Sequence, residues 1–323
     1  MIGKRRLLFW LPAVVLGAAI LFSLVYTHRR VHERVDLRVP SLPGLPEERG
    51  LSAQRVTFFS QGLRLSAWWF PPRGRRITVV AVHGYGYPRG GKASLLKLAL
   101  PLSRQGYGLF LFDLPAFGES EGKRITFGDR EGRAVSDAVL FLKKGLAQGQ
   151  SVGLFGYFLG AASVLSAAGR YQAGDFVIAL CPYASIDSLF RKQLSEQGLP
   201  SALFFPMVRL SLAWELGWNY GRGDPLRWAG AIHQPLLVFS AAQDREVPFR
   251  DGSLLIGLSP GKVRTLVLLP GGHGALRDSF SLVLGEVSAF LGTLDGVKGV
   301  SPSPSGLPGS ASPPLRPLGE NPP

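Results

Sequence analysis

The stretch Ser151-Val-Gly-Leu-Phe-Gly-Tyr-Phe-Leu-Gly160 joins an apolar strand pattern at 151–155 to a run of small residues that starts at Ala161. A sharp strand-to-helix turn of the form G-x-S-x-G lifts a serine hydroxyl clear of the backbone. There a base can take its proton while the oxygen attacks an acyl carbon. In this chain the middle position is Phe158. Phenylalanine has no proton to surrender and no lone pair to attack with, so such a turn cannot form an acyl-enzyme. Its ring also projects into the space that an acyl carbonyl needs.

Other residues could in principle supply chemistry. Gly118-Glu-Ser120-Glu-Gly122 fits G-x-S-x-G as a bare pattern, but Pro115 interrupts the strand side and Lys123-Arg124 follow where a helix should leave. Ser163 and Ser166 fall inside the helix after Gly160, and Tyr157 is expected to face away from the turn's active side. Gly86-Tyr-Pro-Arg-Gly-Gly91-Lys92-Ala93 approximates a phosphate-binding loop, with Leu109-Phe-Leu-Phe-Asp113 as the accompanying strand. That loop needs a hydroxyl on Mg²⁺ where Ala93 stands, which leaves a P-loop-like nucleotide hydrolase as a remote alternative. No H-E-x-x-H or paired-cysteine spacing is present, so neither metal nor cofactor is expected. Cys181 is the one cysteine. It closes the apolar run Phe176 to Leu180 and reads as an inert buried residue.

These residues need a scaffold. The chain has 323 residues, 46% of them hydrophobic, and a net charge of +14. That is enough material for a large core, and the scattered basic residues favour anionic surfaces such as lipid headgroups. No zinc finger, RNA-recognition motif or basic-aromatic array appears, so nucleic acid is not an expected partner. After the basic residues of 1–6, Leu7 to Tyr26 is uninterrupted by charge. About 20 residues at ~1.5 Å each span a bilayer's hydrocarbon core, so 7–26 is expected to be an uncleaved, single-pass N-terminal anchor. Positive charge flanks both of its ends and leaves the side of the membrane open.

Residues 27–50, with Pro40, Pro43 and Pro46, read as a Pro-rich linker, and 296–323 as a disordered Pro/Ser/Gly tail. Between them, Arg55–Ser60 and Leu63–Phe70 meet at Gln61-Gly62 as a hairpin. Buried strand patterns at 77–82, 108–112, 151–155, 176–180, 235–239 and 263–269 then alternate with helical ones. This predicts an α/β fold with a mostly parallel sheet flanked by helices. The alternation stops at 184–230, a helical insertion rich in Leu189, Phe190, Phe205, Leu212, Trp214 and Trp218.

At this point residues 51–295 resemble the α/β-hydrolase superfamily. The motifs that carry the resemblance are His83-Gly84-Tyr85-Gly86, Phe112-Asp113 through Gly122, the Gly156–Gly160 turn, Gln243-Asp244-Arg-Glu-Val247-Pro248 and Gly271-Gly272-His273, in that order. The apolar N-terminus with Gly62-Leu-Arg-Leu-Ser-Ala-Trp-Trp-Phe70 is similar to a membrane-anchored branch related to monoacylglycerol lipases and depalmitoylating thioesterases. The resemblance implies 184–230 as a cap or lid, His273 as the base, and Asp244 as the carboxylate that orients it, with Asp251 a weaker contender. It also implies the backbone N–H groups of Tyr85 and Leu159 as the oxyanion hole. The implied ligand is an acyl ester, a thioester or a lipid.

Two functional readings remain. In one, Phe158 makes the chain a pseudoenzyme that binds an acyl compound, a lipid or a protein. In the other, it is an esterase- or lipase-like hydrolase in which His273 and Asp244 work by a non-serine route, for instance on water, or with another serine. Serine and phenylalanine codons can lie one base apart, so a third reading takes Phe158 as a recent mutation, an engineered change or a sequencing error. Acyl length and oligomeric state are not encoded in any motif.

Overall fold

The apolar runs of the sequence become the strands of one sheet, because backbone polar groups buried on both faces can be satisfied only by neighbouring strands. The computed structural model describes residues 21, 23–36, 53–85, 91–274 and 278–296. Its strands are β1 (Gln54–Ser60), β2 (Leu63–Phe70), β3 (Ile77–Val82), β4 (Gly108–Phe112), β5 (Ser151–Tyr157), β6 (Val177–Leu180), β7 (Leu236–Ala241) and β8 (Arg264–Leu269). They form an eight-stranded sheet in the order β1-β2-β4-β3-β5-β6-β7-β8. The β1–β2 and β2–β4 pairs are antiparallel and the rest are parallel. The hairpin turn falls at Gln61 (φ 50°) and Gly62 (φ 77°), the paired left-handed residues of a tight β-turn.

The helices are α1 (residues 23–35), α2 (Leu96–Arg104), α3 (Asp129–Lys144), α4 (Leu159–Tyr171), α5 (Ile186–Glu196), α6 (Ser201–Leu216), α7 (Pro225–Trp228), α8 (Phe249–Leu258) and α9 (Phe280–Gly296). They divide the apolar interior into two cores. One lies between the sheet and α3, α4 and α8, and takes in Val31, Val35 and the insertion. The other lies on the opposite face under α2 and α9. α4 is almost wholly buried, and its small side chains let it pack closely against both β5 and α3.

The insertion is built from α5, α6 and α7. Asp251 fastens its base: the carboxylate accepts the Ala184 N–H at 2.8 Å and the Ser188 hydroxyl at 2.7 Å. Leu189, Phe190, Phe205 and Leu212 are buried, whereas Trp214 and Trp218 are 81% and 85% exposed. The two tryptophans therefore face solvent and line no internal site.

The N-terminal expectation needs correction. No helix among the described residues is long and apolar enough to cross a membrane, which overturns the expected single-pass anchor and the membrane location drawn from it. Of the anchor segment 7–26, only 21 and 23–26 are described. Residues 27–35, expected as linker, continue α1 and dock on the domain. Val31 and Val35 are 1% and 0% exposed, and the Val35 carbonyl accepts the Ile125 N–H at 2.9 Å. The physical reason is an amphipathic pattern: the valines four residues apart face the domain, while Arg29 and Arg30 stay in water. Pro40, Pro43, Pro46 and the tail after Gly296 lie outside the described residues.

Candidate active site

β5 ends at Tyr157 and α4 begins at Leu159, which leaves Phe158 alone at the corner with φ 53° and ψ −107°. A non-glycine residue in that region costs of order 1–3 kcal/mol and persists only where its surroundings hold it. Here the Phe158 N–H donates to the Leu180 carbonyl at 2.9 Å, and its own carbonyl accepts the Ala162 N–H at 3.0 Å. The flanking glycines are required by close approach. A Cβ on Gly156 would collide with the Gly160 carbonyl, and one on Gly160 with the carbonyls of Val82 and His83. The corner therefore sits directly against the end of β3.

The Phe158 side chain is 3% exposed. Its ring meets the His273 imidazole edge-on at 4.6 Å between centroids, and the Tyr183 ring at 5.8 Å. His273 comes from the loop after β8, and its Nδ1 lies 2.8 Å from an Asp244 carboxylate oxygen. A carboxylate only accepts, so Nδ1 carries the proton and Nε2 is the ring's basic nitrogen. The other Asp244 oxygen accepts the backbone N–H groups of Glu246 at 2.8 Å and Val247 at 3.0 Å. Burial pushes the Asp244 carboxyl up, but the hydrogen bond and charge of His273, with those two N–H groups, outweigh it and hold the carboxyl below its usual range.

Phe158, His273 and Asp244 are thus brought together from three separate strand ends. Gly84 abuts the same corner: a Cβ on it would lie 2.9 Å from the Tyr157 ring and 3.3 Å from the Phe158 Cβ. Leu159 is the first residue of α4, where a helix leaves its N–H groups without an intrahelical acceptor. Asp251 is not part of this group; it holds the base of the insertion.

Tyr157 departs from expectation. Its hydroxyl donates to the His273 carbonyl at 2.5 Å and its ring lies 5.5 Å from the imidazole. Alternation along a strand places Tyr157 opposite to its neighbours, but β5 ends there and the histidine loop folds over it. Nothing in the local sequence signals that contact.

The Ser166 hydroxyl is buried inside α4 with no hydrogen-bond partner, and the other remaining candidates are occupied elsewhere. The Ser120 hydroxyl donates to the Asp113 carbonyl at 2.6 Å and accepts the Ser66 N–H at 2.9 Å, which makes it a loop fastener. The Ser163 hydroxyl donates back to Leu159 within α4. Lys92 is buried, with Nζ 2.6 Å from Asp113 and 2.7 Å from Glu119. A cation so engaged is not poised for phosphate. His83 is fully buried and both ring nitrogens are used: Nε2 accepts the Leu114 N–H at 3.0 Å and Nδ1 donates to the Gly84 carbonyl at 2.9 Å. Burial lowers its pKa and keeps it neutral. Cys181 lies beside Asp244, and burial above all pushes its thiol up, away from thiolate. Among the described residues no group of three His, Cys, Asp or Glu side chains could hold a metal ion.

Comparison with known proteins bears on the fold. No family model matches the sequence. The chain is 26% identical over 190 residues to the Bacillus subtilis protein YqkD, covering 58% of this chain and 61% of that protein. It is 31% identical over 139 residues to the thiohydrolase apmlB of Arthrinium phaeospermum, covering 41% of this chain and 44% of the relative. The match therefore spans less than two thirds of either relative. Among solved structures, the Pyrococcus furiosus esterase Pf2001 superposes with a TM-score of 0.65 at 19% identity, over 81% of this chain and 97% of the esterase. The fold is that of the α/β-hydrolases.

Proposed function

We propose that this chain is an α/β-hydrolase of ester, thioester or lipid-hydrolase descent that binds an acyl ligand but performs no acyl-serine chemistry. One observation carries the reading: the residue at the corner is Phe158, and its ring fills the space between His273 and Tyr183. An acyl-serine route needs a hydroxyl there, with its proton passing to the histidine and its oxygen bonding to the acyl carbon. Neither step has an atom to perform it. Backbone N–H groups of Tyr85 and Leu159 would be the oxyanion donors, but the aromatic ring stands where the carbonyl would enter. The esterase and thiohydrolase similarities support the acyl class of ligand.

A second reading rests on the Asp244–His273 pair, which remains assembled at 2.8 Å. In it, His273 takes a proton from water, the resulting hydroxide attacks the acyl carbon, and the leaving group departs with that proton.

The deciding experiment compares the chain with F158S and F158S/H273A. Expected are background hydrolysis of p-nitrophenyl esters and no fluorophosphonate labelling of the unaltered chain, labelling and hydrolysis in F158S, and loss of both in the double variant. Ester hydrolysis by the unaltered chain that disappears in His273→Ala replaces the first reading with the second.

A further inference from the structure

The insertion leaves the domain after Tyr183 and returns to it near Asp224, and the two ends are tied to each other. The Leu226 N–H donates to the Ala184 carbonyl at 2.9 Å, and the Ile186 N–H donates to an Asp224 carboxylate oxygen at 3.0 Å. Asp251, on α8, ties the same stem to the body of the domain through the Ala184 N–H and the Ser188 hydroxyl. Apart from the Leu226 bond, each of these ties ends on a carboxylate.

Both carboxylates are buried, Asp224 at 8% and Asp251 at 7% exposed. Among the described residues neither has a hydrogen bond or ion pair with a basic side chain. Asp113, Asp175 and Glu215, by contrast, each hold a cation: Lys92, Lys143 and Arg124. Asp224 faces Asp187 of α5, which repels its charge, and Arg227 of α7, which attracts it at longer range. The Tyr183 phenol faces it too, along with Glu131 of α3. Burial outweighs the rest and pushes the Asp224 carboxyl up to about 7, and burial likewise pushes Asp251 above its usual range.

A protonated carboxyl keeps a carbonyl oxygen that accepts hydrogen bonds, and it has no charge to desolvate. An ionised one stays buried without a counter-charge or opens the stem to reach water. The stability contributed by a carboxyl raised in the folded state is full below its unfolded value of about 3.9 and is lost as pH rises through the folded value. For Asp224 that loss falls around neutrality.

We propose that Asp224 and Asp251 make the stem a pH-set clasp, which holds the insertion to the domain in mildly acidic solution and loosens it in mildly alkaline solution. Tyr183 directly precedes the stem and its ring lies against Phe158, so the loosened segment borders the corner. The clasp concerns the insertion's own motion and does not rest on the ligand read above.

The test is hydrogen–deuterium exchange of the full chain by mass spectrometry at about pH 6 and about pH 8.5, under conditions where exchange follows the opening equilibrium, with each rate divided by the intrinsic chemical rate at that pH. Peptides spanning 184–190 and 220–228 should open about tenfold more at the higher pH, the ratio that linkage gives for a carboxyl moving from about 3.9 to about 7. Peptides from β3 and β5 should not change. Asp224→Asn keeps an oxygen for the Ile186 N–H but carries no charge, and should remove most of the increase. The double variant D224N/D251N should remove all of it. Equal corrected rates at both pH values in the unaltered chain, an increase shared by β3 and β5, or an increase that survives in the double variant overturns the proposal. Thermal melts check that each variant is folded, and where one is not, the profile of the unaltered chain decides by itself.

Discussion

The Phe158 ring and the His273 imidazole meet edge to face, with centroids 4.6 Å apart and planes at 85°. This edge-to-face contact is a favourable aromatic geometry, so the substituted residue packs against the base. The base itself is held by groups that do not depend on residue 158. Asp244 is fixed by two N–H groups of its own turn, and Tyr157 holds the His273 carbonyl. That independence explains how an acid–base pair stays assembled without a nucleophile.

Replacement of Phe158 separates packing from backbone strain. Phe158→Ala removes a buried aromatic and should lower stability by about 3–5 kcal/mol. Phe158→Gly removes the same ring but accepts the positive φ of 53° without penalty. Urea unfolding should therefore place the glycine variant at or above the alanine variant, reversing the order seen in ordinary helices and strands. A glycine variant clearly less stable than alanine contradicts a strained corner.

Asp244 carries a pH signature. Its carboxyl is held below the usual range in the folded chain, so its stabilising contribution is full above the unfolded value of about 3.9 and is lost as pH falls through the lower folded value. Acid unfolding curves of Asp244→Asn should be flatter in that acidic window and start from a lower stability at neutral pH. In the F158S background, the same substitution should reduce ester hydrolysis by on the order of 10³–10⁴-fold, as loss of the orienting carboxylate leaves the imidazole in the wrong tautomer.

The Lys92–Asp113 pair is a buried structural tie. Lys92→Met would leave the Asp113 carboxylate, 1% exposed, without its cation. Breaking such a pair costs about 3–5 kcal/mol, a large fraction of a domain's stability, measurable as a lower urea midpoint. The intact chain should show no magnesium-dependent ATP binding in equilibrium dialysis. ATP binding abolished by Lys92→Met in a folded variant would revive the nucleotide reading.

Cys181 should be silent in the folded chain. Burial and the adjacent Asp244 both hold it as a thiol. Ellman's reagent should report no accessible thiol in buffer and one per chain in denaturant, matching the single cysteine. Rapid reaction under folding conditions would place the thiol at the surface.

The sheet and the corner were legible because their signals are local. A strand buried on both faces has to be apolar throughout, and a corner in which two glycines touch backbone admits no other residue there. The flanking elements fell within two residues of those patterns: β5 runs on to Tyr157 rather than ending at Phe155, and α4 begins at Leu159 rather than Ala161. The N-terminal expectation rested on length and apolarity at 7–26 alone, which say nothing of how the residues that follow dock. In the structure the next turns of α1 bury Val31 and Val35 on the domain.

By itself the sequence determined the strand order of events along the chain, the glycine-bounded corner, and the absence of a hydroxyl at Phe158, all consequences of residue type at adjacent positions. Only the tertiary structure decided what fills that absence. Tyr157 reaches the His273 carbonyl, Tyr183 closes on the Phe158 ring, and Arg34 stands within electrostatic reach of Tyr85. Each of these contacts joins residues far apart in the chain, and sequence spacing carries no distance once the backbone has turned.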